Sequence, residues 1–152
     1  MPQSLYMEDC EGTTVKVARK VAAITVTKCT NVRLDFTGSI GTVEFINCTN
    51  CRVTCTQSCS LYTLDNCADI RIMFPGTQDT VKVVTSNSQR IDLTAVQTDG
   101  HDVTRTVSSL PHMEYSGADL AAQDSLHWSS ATASFTEQTP LQREGIGYIT
   151  NL

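Results

Sequence analysis

The chain has 152 residues and a mass of 16.6 kDa, the size of one ordinary domain with room for a single core. Eleven lysines and arginines against sixteen aspartates and glutamates leave a net charge of −5 and a pI near 5.0, which removes the overall electrostatic footprint of a nucleic-acid or anionic-membrane binder. Hydrophobic residues make up 40% of the chain and no apolar run is long enough for a membrane-spanning helix, so neither a membrane span nor wholesale disorder is expected.

The opening residues, MPQSLYMEDCEG, lack an apolar stretch of signal-peptide length. Together with an odd number of cysteines, seven, this predicts a cytoplasmic setting and free thiols in place of a disulfide framework. The cysteines mark a period instead. Cys10, Cys29, Cys48 and Cys67 are nineteen residues apart, and Ser86 takes the same place in the next interval.

Four apolar columns keep that spacing. Leu5, Ile24, Val43, Tyr62 and Val81 precede the marker by five residues, and Met7, Val26, Phe45, Leu64 and Val83 by three. Val15, Leu34, Val53, Ile72 and Ile91 follow it by five, and Val17, Phe36, Cys55, Phe74 and Leu93 by seven. Such alternation is the period of a strand with one face inward. Each interval therefore predicts two short strands, with Gly38, Gly41, Asn47, Asn50 and Gly76 at possible corners. A unit this small cannot bury its own apolar edge, so successive units must stack. The expected architecture is all-β, a right-handed parallel β-helix of coils of about 19 residues over residues 1–97.

Arg33, Arg52, Arg71 and Arg90 lie four residues after the marker, between two inward columns, and are expected to point outward as a ladder with rungs about 4.8 Å apart. Asn31, Asn50, Asp69 and Ser88 flank them on one side, and Asp35, Thr54, Met73 and Asp92 on the other. Asp35, Asp69 and Asp92 can neutralise part of the ladder. Two readings stand: a solvated, internally paired face, or a docking strip for an acidic partner met by bidentate arginines.

Cys48, Cys51, Cys55 and Cys59 include a C-x2-C spacing that can hold zinc, but the second half of such a site is missing. His101, His112 and His127 lie far downstream, and Cys48 and Cys55 occupy apolar columns. No metal and no cofactor are expected. The sequence also lacks a nucleophile elbow, a phosphate loop, a zinc-protease helix and a dinucleotide fingerprint, and His101 beside Asp102 reads as a solvated loop pair. No catalytic residue is assigned.

After residue 97 the period stops. Residues 98–152 begin with the polar turn TDGHD, then the alternating run Val103, Arg105 and Val107, then Pro111. A short helical turn is predicted around Asp119–Gln123, and two strands over Leu126–Phe135 and Gly145–Ile149 with Thr136–Glu144 as their loop. This tail either caps the open end of the solenoid or reaches onto a second subunit. Trp128 would anchor whichever contact forms.

The stretches VKVVTSNSQRIDL (81–93), GHDVTRTVSSLPHM (100–113) and SATASFTEQ (130–138) resemble the last coil, the proline-containing link and the terminal strand of the cyclase-associated proteins. These proteins share their C-terminal domain type with tubulin cofactor C. The resemblance covers nearly the whole chain as one domain, 1–152, and is to the short single-domain forms known from some protists, without the helical N-terminal domain, polyproline tract or WH2-like segment. It implies binding of monomeric actin with the ADP form favoured, promotion of nucleotide exchange on it, a homodimer formed by exchanging the C-terminal hairpin, and a cytoplasmic, cytoskeleton-associated location.

On that reading Arg33, Arg52, Arg71, Arg90 and Asp69 face actin, while Val103, Val107, Trp128, Phe135 and Tyr148 build the dimer. The alternative is the cofactor C branch, in which an outward arginine activates a GTPase. Members of that branch carry a Q-x-R-like strand motif followed by histidine. The nearest segments here, Asn50-Cys51-Arg52-Val53-Thr54 and Gln89-Arg90-Ile91-Asp92, lack the full pattern.

Overall fold

The computed structural model of the chain describes residues 2–108 and 123–138. Each coil supplies one short and one longer strand, and alternate residues of both point inward. The first coil holds β1 (Leu5–Glu8) and β2 (Thr14–Val21), and the second β3 (Ile24–Thr27) and β4 (Arg33–Ser39). The third holds β5 (Val43–Ile46) and β6 (Thr49–Ser58), the fourth β7 (Leu61–Asp65) and β8 (Ala68–Pro75), and the fifth β9 (Thr80–Ser86) and β10 (Gln89–Val96). Strands β11 (Val103–Val107), β12 (Gln123–Ser129) and β13 (Ser134–Gln138) complete the described chain, which is all-β as expected.

The odd strands of the coils pair in parallel in one sheet, ordered β1-β3-β5-β7-β9-β12-β13, and the even ones in a second, ordered β11-β10-β8-β6-β4-β2. Between the sheets lies one core, with Ile24, Val43, Phe45, Cys48, Ile72 and Leu93 fully buried. The β-solenoid predicted from the apolar columns is therefore the architecture found.

The corners explain the asparagines. Asp9, Lys28, Asn47, Asn66 and Asn87 have φ between 49° and 57°, and so do Asn31, Asn50, Asp69 and Arg90 in the second corner of each coil. These are left-handed conformations, which asparagine tolerates better than most side chains. In the first coil Gly12, at φ 64°, takes the second corner. The marker residue sits between the two corners. Its thiol donates to the carbonyl two residues back: Cys29 to Thr27 at 3.3 Å, Cys48 to Ile46 at 3.3 Å and Cys67 to Asp65 at 3.4 Å. The column thus uses cysteine as a small apolar residue with a weak donor.

The fifth coil departs from the expected register. Tyr62 pairs with Val83 and Ile72 with Leu93, twenty-one residues on, whereas Thr54 pairs with Met73, nineteen on. Two extra residues enter at the turn after Pro75. Gln78 fills the gap: its side-chain amide accepts from the Cys59 N–H at 3.3 Å and donates to the Cys59 carbonyl at 2.8 Å, the pair of bonds a strand residue would make. Ser88, and not Ser86, therefore takes the cysteine place, buried, with its hydroxyl donating to the Ser86 carbonyl at 2.8 Å. Ser88 is not on the outward face where the nineteen-residue period put it.

The tail differs in its boundaries. β11 lies antiparallel on β10, which confirms the run Val103, Arg105, Val107 as a strand. Leu126–Phe135 is not one strand: a turn between Ser129 and Ser134, with Ala133 at φ 51°, folds it into the hairpin β12–β13, and Thr136 belongs to a strand in place of a loop. That hairpin lies antiparallel on β9. Most of the helical turn expected at Asp119–Gln123, the strand Gly145–Ile149 and Tyr148 fall outside the described residues, although Gln123 itself opens β12.

Candidate binding face

The outward face of the six-stranded sheet carries the arginine ladder, in altered form. Arg33 pairs directly with Arg52 and Arg52 with Arg71, so three rungs stack in register. The fourth rung is Asp92, which pairs with Arg71, because of the two-residue insertion. Arg90 has left the ladder for the corner, where its guanidinium forks onto Asp69 with Nε–Oδ1 at 2.6 Å and Nη2–Oδ2 at 3.0 Å. The hydrogen bonds from Arg90 hold the exposed Asp69 carboxyl below its ordinary pKa, against a smaller upward push from desolvation.

Charge along the ladder is unevenly compensated. Arg33 Nε lies 3.3 Å from Asp35 Oδ2, and Arg71 Nη2 lies 4.0 Å from Asp92 Oδ2. Arg52, the middle rung, has no carboxylate partner among the described residues. Exposed Lys16, Arg19 and Lys20 extend the positive charge along β2. On the other sheet the outward positions include Glu8, Glu44 and Asp65. The net charge of −5 therefore conceals one basic face.

Beside the ladder runs an open groove of about 350 Å³, lined by Thr54, Thr56, Met73, Pro75, Val96 and Gln97 among others. Val96 is 38% exposed although it is apolar. A charged ladder next to an apolar groove suits a protein surface better than a small polar ligand. The sequence reading missed this groove. Its signal was present in Met73 and Val96, apolar residues at outward strand positions.

The cysteines offered to a metal do other work. Cys55 donates to the Thr37 carbonyl at 3.6 Å and Cys59 to the Leu61 carbonyl at 3.5 Å. Burial pushes the Cys55 thiol up, and the Cys59 thiol up to about 11. The Cys51 and Cys67 thiols face Cys48, and their hydrogen bonds to it, followed by burial, push them up as well, while the same two bonds pull the Cys48 thiol down. The thiols held neutral are poor metal ligands. Among the described residues no group of His, Cys, Asp and Glu is placed to hold a metal ion. His101 is exposed and lies 3.5 Å from Asp99, not Asp102, as a solvated loop pair.

Of the residues assigned to the dimer, Val103, Val107, Trp128 and Phe135 lie on the strands that finish the C-terminal end of the two sheets. Val107 is buried opposite Ile91, and Val103 is half-buried opposite Ala95. Trp128 is buried within its own chain, with ring centroids 6.1 Å from Phe74 and 4.9 Å from Phe135, and its indole N–H donates to the Gly76 carbonyl at 3.2 Å. Within the single chain, Trp128 thus packs onto its own solenoid, one of the two contacts predicted for it.

The family model for the C-terminal region of adenylate cyclase associated (CAP) proteins matches residues 1–115. The chain belongs to this CAP C-terminal domain family. A comparison with curated protein sequences finds no match. Among solved structures, the cyclase-associated protein from Cryptosporidium parvum is similar, with a TM-score of 0.62 at 13% identity over 91% of this chain and 84% of that one. At that identity the likeness concerns the fold. Membership in the CAP C-terminal family implies an actin-related, cytoskeletal role and a domain that binds and regulates. Among the described residues no helix is long and apolar enough to cross a membrane.

Proposed function

We propose that this CAP C-terminal domain binds monomeric actin through the outward face of the six-stranded sheet, with Arg33, Arg52 and Arg71 as charged contacts and the Met73–Val96 groove as the apolar one. The observation that carries the reading is Arg52, a central arginine between two paired ones and without a carboxylate of its own among the described residues. An acidic protein surface supplies what the ladder lacks. Arg90 and Asp69 satisfy each other and act at the margin.

Binding of this kind promotes nucleotide exchange if the domain prefers an actin conformation with an open cleft, for which the ADP form is the expected partner. The domain works as a homodimer in the cytoplasm. In the exchanged form the β12–β13 hairpin, with Trp128 and Phe135, lies on β9 of the partner, and Val103 and Val107 flank the link. The GTPase-activating alternative draws no support from the arginines: Arg90 is held in a fork with Asp69, and Arg52 lies in the middle of a sheet face.

The test is release of a labelled nucleotide from monomeric ADP-actin with the wild-type chain and with Arg52→Glu. Acceleration by the wild type and its loss in the variant are expected. Acceleration of GTP turnover on tubulin or an Arf-like GTPase, lost in Arg52→Ala, would replace this reading with the alternative.

A further inference from the structure

The two ends of the solenoid are finished differently. At the C-terminal end β11 covers one sheet edge and the β12–β13 hairpin extends the other. At the opposite end β1 and β2 are the outermost strands of their sheets, so the outer backbone N–H and C=O groups of both lack strand partners among the described residues. The core is open there too. Leu5, Cys10, Val15 and Val17 are only partly buried, whereas their counterparts one coil up, Ile24, Cys29, Leu34 and Phe36, are at most 1% exposed.

An open strand edge beside half-covered apolar side chains is a template for a further strand. Charge and length decide which strand fits. β2 carries Lys16, Arg19 and Lys20, all exposed and none in an ion pair with a described residue. A second copy presenting its own β2 would set these cations against each other. A second copy presenting β1 brings four residues to an eight-residue edge and leaves Arg19 and Lys20 uncovered.

We propose that the β2 edge at the open end of the solenoid is a docking site for an extended, acidic segment of another protein, which adds as an outer strand with alternating apolar and acidic side chains. Its backbone pairs with the edge of β2. Its apolar residues cover Val15 and Val17, and its carboxylates meet Lys16, Arg19 and Lys20. The site lies at the end of the stack, so it can be filled while the middle of the arginine face is in use.

The test uses the full chain and a fluorescein-labelled peptide of alternating aspartate and valine, long enough to span β2. Three controls are the same peptide with prolines at alternate positions, a lysine-valine counterpart, and vesicles containing phosphatidylserine. The aspartate peptide is expected to bind, to slow hydrogen exchange of amides in Thr14–Val21, and to weaken with salt. Lys16→Glu combined with Lys20→Glu should weaken it by about tenfold or more. The proline and lysine peptides should not bind.

Equal binding of the proline peptide, or affinity indifferent to charge reversal, overturns the proposal. So does preference for the vesicles over the peptide, or a concentration-dependent self-association that the charge reversal abolishes. The salt titration and hydrogen exchange on the wild-type chain decide the matter even if the double variant folds poorly.

Discussion

Arg105 and Glu137 join the last strands of the two sheets, with Nη2 3.2 Å from Oε1. Both stand at inward positions of their strands: Arg105 pairs with Leu93 and Glu137 with Leu126, whose side chains are buried. Inward charges at an edge oppose the addition of another strand. The pair therefore closes the C-terminal end electrostatically, where the opposite end is left open.

Replacing either partner is expected to cost little. The two side chains are 42% and 49% exposed, so solvent and salt screen the pair, and Arg105→Ala or Glu137→Ala should each lower stability by no more than about 1 kcal/mol. Urea denaturation of both single variants and the double variant checks this. A coupling that persists in molar salt would contradict the screened geometry.

Trp128 is a different matter, because it is buried between Phe74 and Phe135 and also fills a hydrogen bond to Gly76. Trp128→Ala should cost about 3–5 kcal/mol, and Trp128→Phe less, since the ring contacts partly survive. As the sole tryptophan it reports on itself. Its emission should be blue-shifted in the native chain and shift red on unfolding; a solvent-like spectrum in the native state would place the hairpin elsewhere.

Serine is expected to substitute for cysteine in the corner column and nowhere else. Ser88 already does so, donating to the Ser86 carbonyl as Cys67 donates to the Asp65 carbonyl. Cys67→Ser should therefore change stability by less than about 1 kcal/mol, while Cys67→Val loses the donor and overpacks the corner at about 1–3 kcal/mol. Cys55 pairs with Phe36 in mid-strand, so Cys55→Ser should be the costlier serine. Thermal melts of the three variants rank these effects, and equal losses at positions 55 and 67 would refute the corner role.

The solenoid was legible because its columns repeat, and the register of the last coil was not, for a reason inherent in strands. A shift of two residues keeps every side chain on the same face, so Val81, Ile91 and Leu93 remain buried whichever rung they join. Only the outward residues betray the insertion, and there Asp92 took the place assigned to Arg90. The signal lay in Ser88 and Asn87, which repeat the Asn-Cys corner of Asn47-Cys48 and Asn66-Cys67 with serine for cysteine. The groove at Met73 and Val96 was hidden similarly, since it forms between rungs whose pairing depends on the insertion.

The buried thiols whose pKa is raised make stability fall on the alkaline side. Burial pushes Cys59 from 9.0 up to about 11, and raises Cys29, Cys55 and the phenol of Tyr62 as well. A group whose folded pKa is raised holds its proton longer in the folded chain than in the unfolded one. Its contribution is fully present below the unfolded value and is lost as pH rises through the folded value. For Cys59 the window runs from 9.0 to about 11, and at about 1.4 kcal/mol per unit the loss across it is roughly 2–3 kcal/mol. Urea midpoints should be flat up to about pH 8 and then decline. Cys59→Ala starts less stable because it leaves a small cavity, yet its curve should decline less steeply, since one titrating group is gone. Wild-type midpoints that stay level to about pH 10.5 would show that these thiols ionise without opening the core.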